Sequence, residues 1–319
     1  MKLSRSFLYF FLLGTVTSCQ SNRNCCDEVV CETVHRYGVA LDPNDWSDRG
    51  QDGQVVSMRK DGVVVNRCYD SGILHGECTY TFPHRDVIQR KEVYDQGMLR
   101  QEYFHYSSGV PQMQTDFNGS DQKAVTVWYE NGAPHCKEMH DNQNNLLNGE
   151  YFNIEQQVES RVESGNGFRI RRDGQGQLES VDTIQNGQMV LRTAYHSNGM
   201  PASVTPYANG VVEGERRTYL SGGEPSTIEA WQNNQQHGTT QIFEHGEKRA
   251  EMPFVNGRQH GVERRFRDDG ATVAQEITWS RGQKHGPANS YMGSTTATDW
   301  YFSNRPVPNK ATFDMLSNQ

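Results

Sequence analysis

The sequence predicts an all-β protein, an elongated single-layer antiparallel sheet of about eleven β-hairpin repeats. The first observation is an octad: FVNGRQHG at 254–261 returns as WSRGQKHG at 279–286, with relatives YDSGILHG (69–76), YANGVVEG (207–214) and WQNNQQHG (231–238). Aligned on the last glycine of the octad, the slots are Gly53, Gly76, Gln101, Lys123, Gly149, Gly167, Leu191, Gly214, Gly238, Gly261 and Gly286, spaced 18 to 26 residues apart and mostly near 24. A fixed period of this length marks a repeat architecture. The second observation is a pair of turn signals in each unit. One lies inside the octad, at Gly72, Gly210, Gly257 and Gly282; the other follows the slot by about eight or nine residues, at Gly62, Gly109, Gly132, Gly199, Gly246 and Gly270. Asn-Gly and Asp-Gly pairs supply the positive φ angles of tight hairpins, so two turns per unit mean two strands per unit. The third is the low hydrophobic fraction, 34%, against the roughly 45–50% of packed domains.

The elements follow in chain order. Lys2 and Arg5 precede an apolar run from Phe7 to Val16 and then small residues, the pattern of an export signal over residues 1–18, too short for an ordinary membrane span. Residues 19–45 are polar and cysteine-rich and read as a tether with an N-terminal cap. Residues 46–292 are the repeat array, whose intervals between turns, such as VERRFRD (262–268), are too short for helices. Aromatic residues recur seven before the slot (Tyr69, Tyr94, Tyr207, Trp231, Phe254, Trp279) and five after it (Tyr106, Trp128, Tyr219, Phe243, Phe266, Tyr291). Rings at equivalent places of successive hairpins are expected to stack along the sheet and stand in for a core. Residues 293–319 leave the period and form a C-terminal cap or tail. The irregular units around Gln101, Lys123 and Leu191 are where distortions or bulges are expected.

Two resemblances rest on these residues. Val16-Thr17-Ser18-Cys19 resembles the lipobox of bacterial lipoproteins, which implies cleavage between Ser18 and Cys19 and acylation of Cys19, the chain's link to membrane lipid. Several acyl chains at about 0.8 kcal/mol per buried CH₂ make a stable anchor. Gln20 after the cysteine implies, on the same likeness, the outer membrane of a two-membrane cell. The plainer reading of the segment is a secretory signal with an incidental cysteine. The octads resemble the MORN repeat, and more closely its bacterial variant family, which implies a single-layer sheet of successive hairpins; the glycines that match are Gly72, Gly76, Gly210, Gly214, Gly238, Gly257, Gly261, Gly282 and Gly286.

With 31 basic against 39 acidic residues, a formal charge of −8 and no run of Lys or Arg, nucleic acid is not an expected partner. Seven cysteines less Cys19 leave six, and in an exported chain an even number leans to disulfides. Cys68 and Cys78 are the candidate pair if the register brings their Cα atoms within about 7 Å. CCDEVVCETVH (25–35) matches no strong zinc spacing, and no metal or cofactor site is expected. His75, His237, His260 and His285 share one register and read as turn residues, because an active site is needed once. No nucleophile elbow, phosphate loop or dinucleotide fingerprint is present, so no catalytic residue is assigned. The expected function is a non-enzymatic, lipid-anchored scaffold at the cell envelope, binding an envelope or host protein or a glycan. The alternatives are an antitoxin-like module, by analogy with some members of the variant family, and an envelope hydrolase using scattered carboxylates.

Overall fold

The structure, a computed structural model, describes residues 28–119 and 121–318. The signal segment, Ser18, Cys19, Cys25 and Cys26 lie outside the described residues. The fold is all-β, an open antiparallel sheet of 29 strands in which consecutive hairpins pair in sequence order. Glu28–His35 pairs with Gly53–Arg59, which pairs with Val64–Asp70, and the pattern continues to Gln283–Met292, Thr295–Phe302 and Arg305–Val307. The sheet therefore runs beyond the sequence period at both ends. A short helix, Pro43–Asp48, follows the first strand; Asp42 caps it by accepting the N–H groups of Asn44 and Asp45 at 2.9 and 2.8 Å. At the other end the helix Lys310–Ser317 sets Phe313 against His285, Trp300 and Phe302, at centroid distances of 5.0, 5.4 and 6.2 Å.

The two turn signals are two different turns. Inside the octad, Asn256 (φ 50°) and Gly257 (φ 75°) form a two-residue loop with both residues left-handed, the type I′ geometry whose twist matches the flanking strands. Gly72, Gly210 and Gly282 occupy the same place. At the opposite edge, a typical turn has the Tyr106 N–H donating to the Val110 carbonyl at 2.9 Å and the Gly109 N–H returning to Tyr106 at 2.8 Å.

The slot glycines have a separate task. Ile228 faces Gln241 while Trp231 faces Gln236, so two extra residues are taken up between these pairs, at His237 and Gly238. The same two-residue bulge occurs at Gly76, Gly214, Gly261 and Gly286, whose φ angles are 90°, 106°, 113° and 118°. By contrast, the strands through Gln101 and Leu191 shift by one residue and that through Lys123 pairs without a shift. The larger bulges thus belong to the regular octads, not to the irregular ones as expected, because a two-residue bulge needs the left-handed residue that glycine supplies. A Cβ on Gly238 would also stand 2.9 Å from the Ala230 Cβ. Gly238→Ala is expected to cost at least about 1–2 kcal/mol from the left-handed φ alone, measured as a lowered urea midpoint.

At four of the slots the residue just before ties one hairpin to the next. Its side chain accepts the N–H of the first residue in the following octad turn: His75 Nδ1 from Gln96 at 3.3 Å, Asn148 from Ser164 at 3.1 Å, Asn166 from Asn186 at 3.2 Å and Glu213 from Asn233 at 2.8 Å. Turn backbones join as well, with the Gly97 N–H on Leu74 and the Gly257 N–H on Gln236 at 2.8 and 2.9 Å. The opposite edge is laced by Tyr106 Oη on the Trp128 carbonyl and Tyr129 Oη on the Phe152 carbonyl, both at 2.9 Å. The expected stacking of successive rings is corrected here. Among the ring pairs seen in the described residues, Trp46 with Tyr69, seven before Gly53 and Gly76, joins equivalent places of consecutive repeats, edge-on at 6.4 Å, while the others join different places and form no continuous ladder. The reason is chemical: Tyr and Trp carry polar groups that, when half buried, must find partners.

Candidate ligand-binding face

Strand alternation sends the two sides of the sheet to different fates. Starting from Ser57, the register carries one face through Val65, Tyr80, Arg90, Phe104, Met113 and Val127, and onward to Cys136, Tyr151, Arg171, Ser180, Ala194, Ser203 and Thr218. Most of the buried side chains lie on this face. One apolar cluster, Leu146, Tyr151, Val162 and Ile184, fills it where the slot spacing shrinks to 18 between Gly149 and Gly167. Elsewhere the buried face is polar, centred on carboxylates whose hydrogen bonds are met by neighbours.

Glu92, Asp182 and Glu229 sit two residues before the aromatic position or its equivalent. Glu92 accepts from Tyr80 and Tyr94 at 3.1 and 3.3 Å and pairs with Arg90. Glu138 accepts from Tyr151 at 2.8 Å and meets His140 at 3.0 Å. Burial pushes its carboxyl up, but the His140 contact, the Arg169 charge and the Tyr151 hydroxyl outweigh that and hold it at about 2. Glu229 takes Thr227, Trp231 Nε1 and Arg216 at 2.9, 2.8 and 3.3 Å. Glu263, in the return strand, takes Arg265, Trp279 Nε1 and Gln259 at 2.6, 2.8 and 2.9 Å. Glu263 is 1% exposed, in a stretch, GVERRF, that reads as a solvated charge run.

Asp182 is the deepest of them, 0% exposed, and it is shared by three arginines. Arg169 Nη2 and Arg192 Nη2 reach Oδ2 at 2.9 Å, Arg192 Nε reaches Oδ1 at 2.7 Å, and Arg171 Nε stands 3.6 Å away. Burial works against the charged form here too, yet the Arg192 hydrogen bonds and the Arg169 charge keep Asp182 below the usual carboxylate range. Arg171 has a pKa lowered by burial and by the Arg169 charge, against the pull of Asp182 and Glu138.

Beside this cluster the face opens into a groove of about 230 Å³, lined by Arg192, Ser203, Thr205, Tyr207, Val212, Arg216 and Trp231. The sequence marks Tyr207 and Trp231 as repeat aromatics but singles out none of the other five. The available signal was positional: two before Tyr207 stands Thr205, where Glu92 and Glu229 stand two before Tyr94 and Trp231.

The other sequence-marked residues are structural in place. Gly76, Gly214, Gly238, Gly261 and Gly286 form bulges, Gly72, Gly210, Gly257 and Gly282 form turns, and the structure does not gather them into a site. Cys68 and Cys78 carry free thiols. The Gly76 bulge lies between Asn66, which faces Thr79, and Tyr69, which faces Leu74, so the two cysteines are staggered rather than opposed. Burial raises the pKa of both thiols. Among the described residues no group of three or more His, Cys, Asp or Glu is placed to hold a metal, and no helix is long and apolar enough to cross a membrane.

The class of molecule defined so far is a hairpin-repeat sheet with one polar, carboxylate-studded face. No family model matches the chain, and no curated relative does. Among solved structures it is similar to an assembly described as TcdB2-TccC3-Cdc42, at 11% identity and a TM-score of 0.20 over 86% of this chain, and it spans 18% of that chain's length. It is also similar to a porin-like protein from Bacteroides uniformis, at 9% identity and a TM-score of 0.12, covering 84% of this chain and 92% of the other. Likenesses at these scores say nothing of function.

Proposed function

We propose that the chain is a non-enzymatic scaffold of the bacterial envelope, a sheet of MORN-variant-like hairpins anchored by acylated Cys19, that offers its carboxylate-lined face to a protein or glycan partner. The observation that carries this reading is the state of the carboxylates. Glu92, Glu138, Asp182, Glu229 and Glu263 are each committed to neighbouring donors, and Glu138, held at about 2, is ionised at neutral pH. A general acid needs a raised pKa and a proton near the operating pH, the opposite of what their partners impose on Glu138 and Asp182. A repeated face whose carboxylates are tied to neighbouring donors is suited to holding a shape against which something else binds.

The test is fractionation with labelled fatty acid. The native chain is expected in the membrane fraction carrying label, Cys19→Ser in the periplasmic or soluble fraction without it, and crosslinking of the native chain in cells to yield a reproducible partner. Retention of native protein in the cytosol without label would contradict the reading.

A further inference from the structure

We propose that the groove over Thr205 binds one carboxylated sugar unit, a uronate of an acidic polysaccharide. The proposal rests on the reading of the chain as a binding scaffold and names the ligand class for this stretch of its face. Four observations carry it, beginning with a row across four strands. Thr205 faces Arg192 on one side, and the register of Ser203 with Thr218 and Val204 with Arg217 brings Arg216 to its other side. Neighbouring strands are about 4.8 Å apart, so the two arginines straddle the threonine at a backbone separation of roughly 10 Å. In the alternate repeats where a hydroxyl takes the same place, Thr115 has Glu102 and Val125 beside it; Thr205 has a cation on each side.

Next comes the direction in which those cations lean. Arg192 is drawn to Asp182 through Nε and Nη2, and Arg216 to Glu229 through Nη1 at 3.3 Å. Each guanidinium therefore bends away from Thr205, which leaves the groove open between them, and each keeps N–H donors beyond those spent on its carboxylate. Charge points the same way. Asp182 and, beyond it, Glu138 are two negative charges among Arg169, Arg171 and Arg192, which leaves one cation in excess, and Glu229 offsets Arg216. The face beside the groove is cationic although the chain as a whole is acidic. Guanidinium groups with free donors select a carboxylate or another oxyanion.

The walls then choose among anions. Tyr207 and the half-buried Trp231 flank the groove, and Ser203 and Thr205 place hydroxyls at its floor. A sugar ring presents C–H groups to an aromatic face and hydroxyls to such partners, whereas an inorganic oxyanion can accept from the hydroxyls but makes no use of the aromatic faces. The volume, about 230 Å³, lies below the roughly 300–1,000 Å³ of sites for drug-sized ligands and has room for one ring. A peptide, which needs a longer cleft or a strand edge, fits the groove less well.

Titration calorimetry on the full-length chain in detergent, with trigalacturonate, maltotriose, inorganic sulfate and triglutamate as probes, decides it. Trigalacturonate is expected to bind at least about tenfold more tightly than any of the others, a difference of about 1.4 kcal/mol. Thr205→Glu places a carboxylate between Arg192 and Arg216, as the flanking repeats have, and is expected to abolish binding while the melting temperature holds or rises. Arg216→Gln, outside the Asp182 cluster, is expected to weaken binding by at least about tenfold and to reduce its salt dependence. Absence of trigalacturonate binding, equal binding of sulfate, triglutamate or maltotriose, or unchanged binding by both variants would each overturn the proposal. Localisation and partner capture are read separately, so failure here leaves the scaffold reading standing.

Discussion

Asp182→Ala will destabilise the chain by about 3–5 kcal/mol, the cost of leaving buried partners of a charge pair uncompensated. Asp182 is wholly buried, and Arg169, 16% exposed in its side chain, has its carboxylate as the hydrogen-bonded anion at 2.9 Å. Removing it leaves Arg169, Arg171 and Arg192 on one patch with like charges and lost hydrogen bonds. Repeat arrays hold each unit by its neighbours, so the damage should be local at first. Amide exchange should therefore quicken most across Gly167, Asp182 and Arg192 and least at the ends of the sheet. Asp182→Asn, which keeps the shape but loses the charge, should fall between the two. A change smaller than about 0.5 kcal/mol, the range of ordinary surface substitutions, would show that the arginines find water or other partners and that this cluster does not hold the sheet.

The second large effect is acid destabilisation. Glu138 and Asp182 both have folded-state pKa values depressed below their unfolded ones, Glu138 from 4.5 to about 2. A depressed pKa means stability that is complete above the unfolded pKa and lost as pH falls through the folded one. For Glu138 the shift corresponds to about 3 kcal/mol at neutral pH. Melting temperature is expected to fall gently from pH 7 to about 5, because burial lowers the pKa of His105 and His135, and steeply between about 4.5 and 2, with Asp182 adding to the slope. Glu138→Gln should lower the neutral-pH value and flatten the acid limb. A wild-type melting temperature that stayed level down to pH 2.5 would contradict the assigned partners.

The turns and the period were readable because they depend on residues with local meaning. Asn256-Gly257 demands its turn in any context, and the octad repeats that demand along the chain. The histidines before the slot, expected in turns, lie at the bulges instead, and the role of His75, accepting an N–H from the next hairpin, depends on a partner 21 positions away. The buried face was not readable for a different reason. In a single layer, polar residues occupy both sides of every strand, so GVERRF gives no hydropathy contrast by which to tell Glu263, hidden under Trp279 and Gln259, from the more exposed Arg264. The same ambiguity favoured ring stacking as the source of cohesion, where the structure uses Tyr and Trp as donors to carboxylates. The groove at Thr205 was hidden further, since a threonine between arginines on other strands becomes distinctive only once the register is known.

These elements describe a sheet whose strength comes from hydrogen-bonded turns at two edges and charge-assisted bonds on one face. Its most direct test is small-angle X-ray scattering of the full-length chain in detergent with matched contrast. The account predicts an elongated particle with a radius of gyration near 30 Å, the value for a rod on the order of 100 Å long. A radius near 20 Å, which is about that of a compact globule of 319 residues, would contradict it.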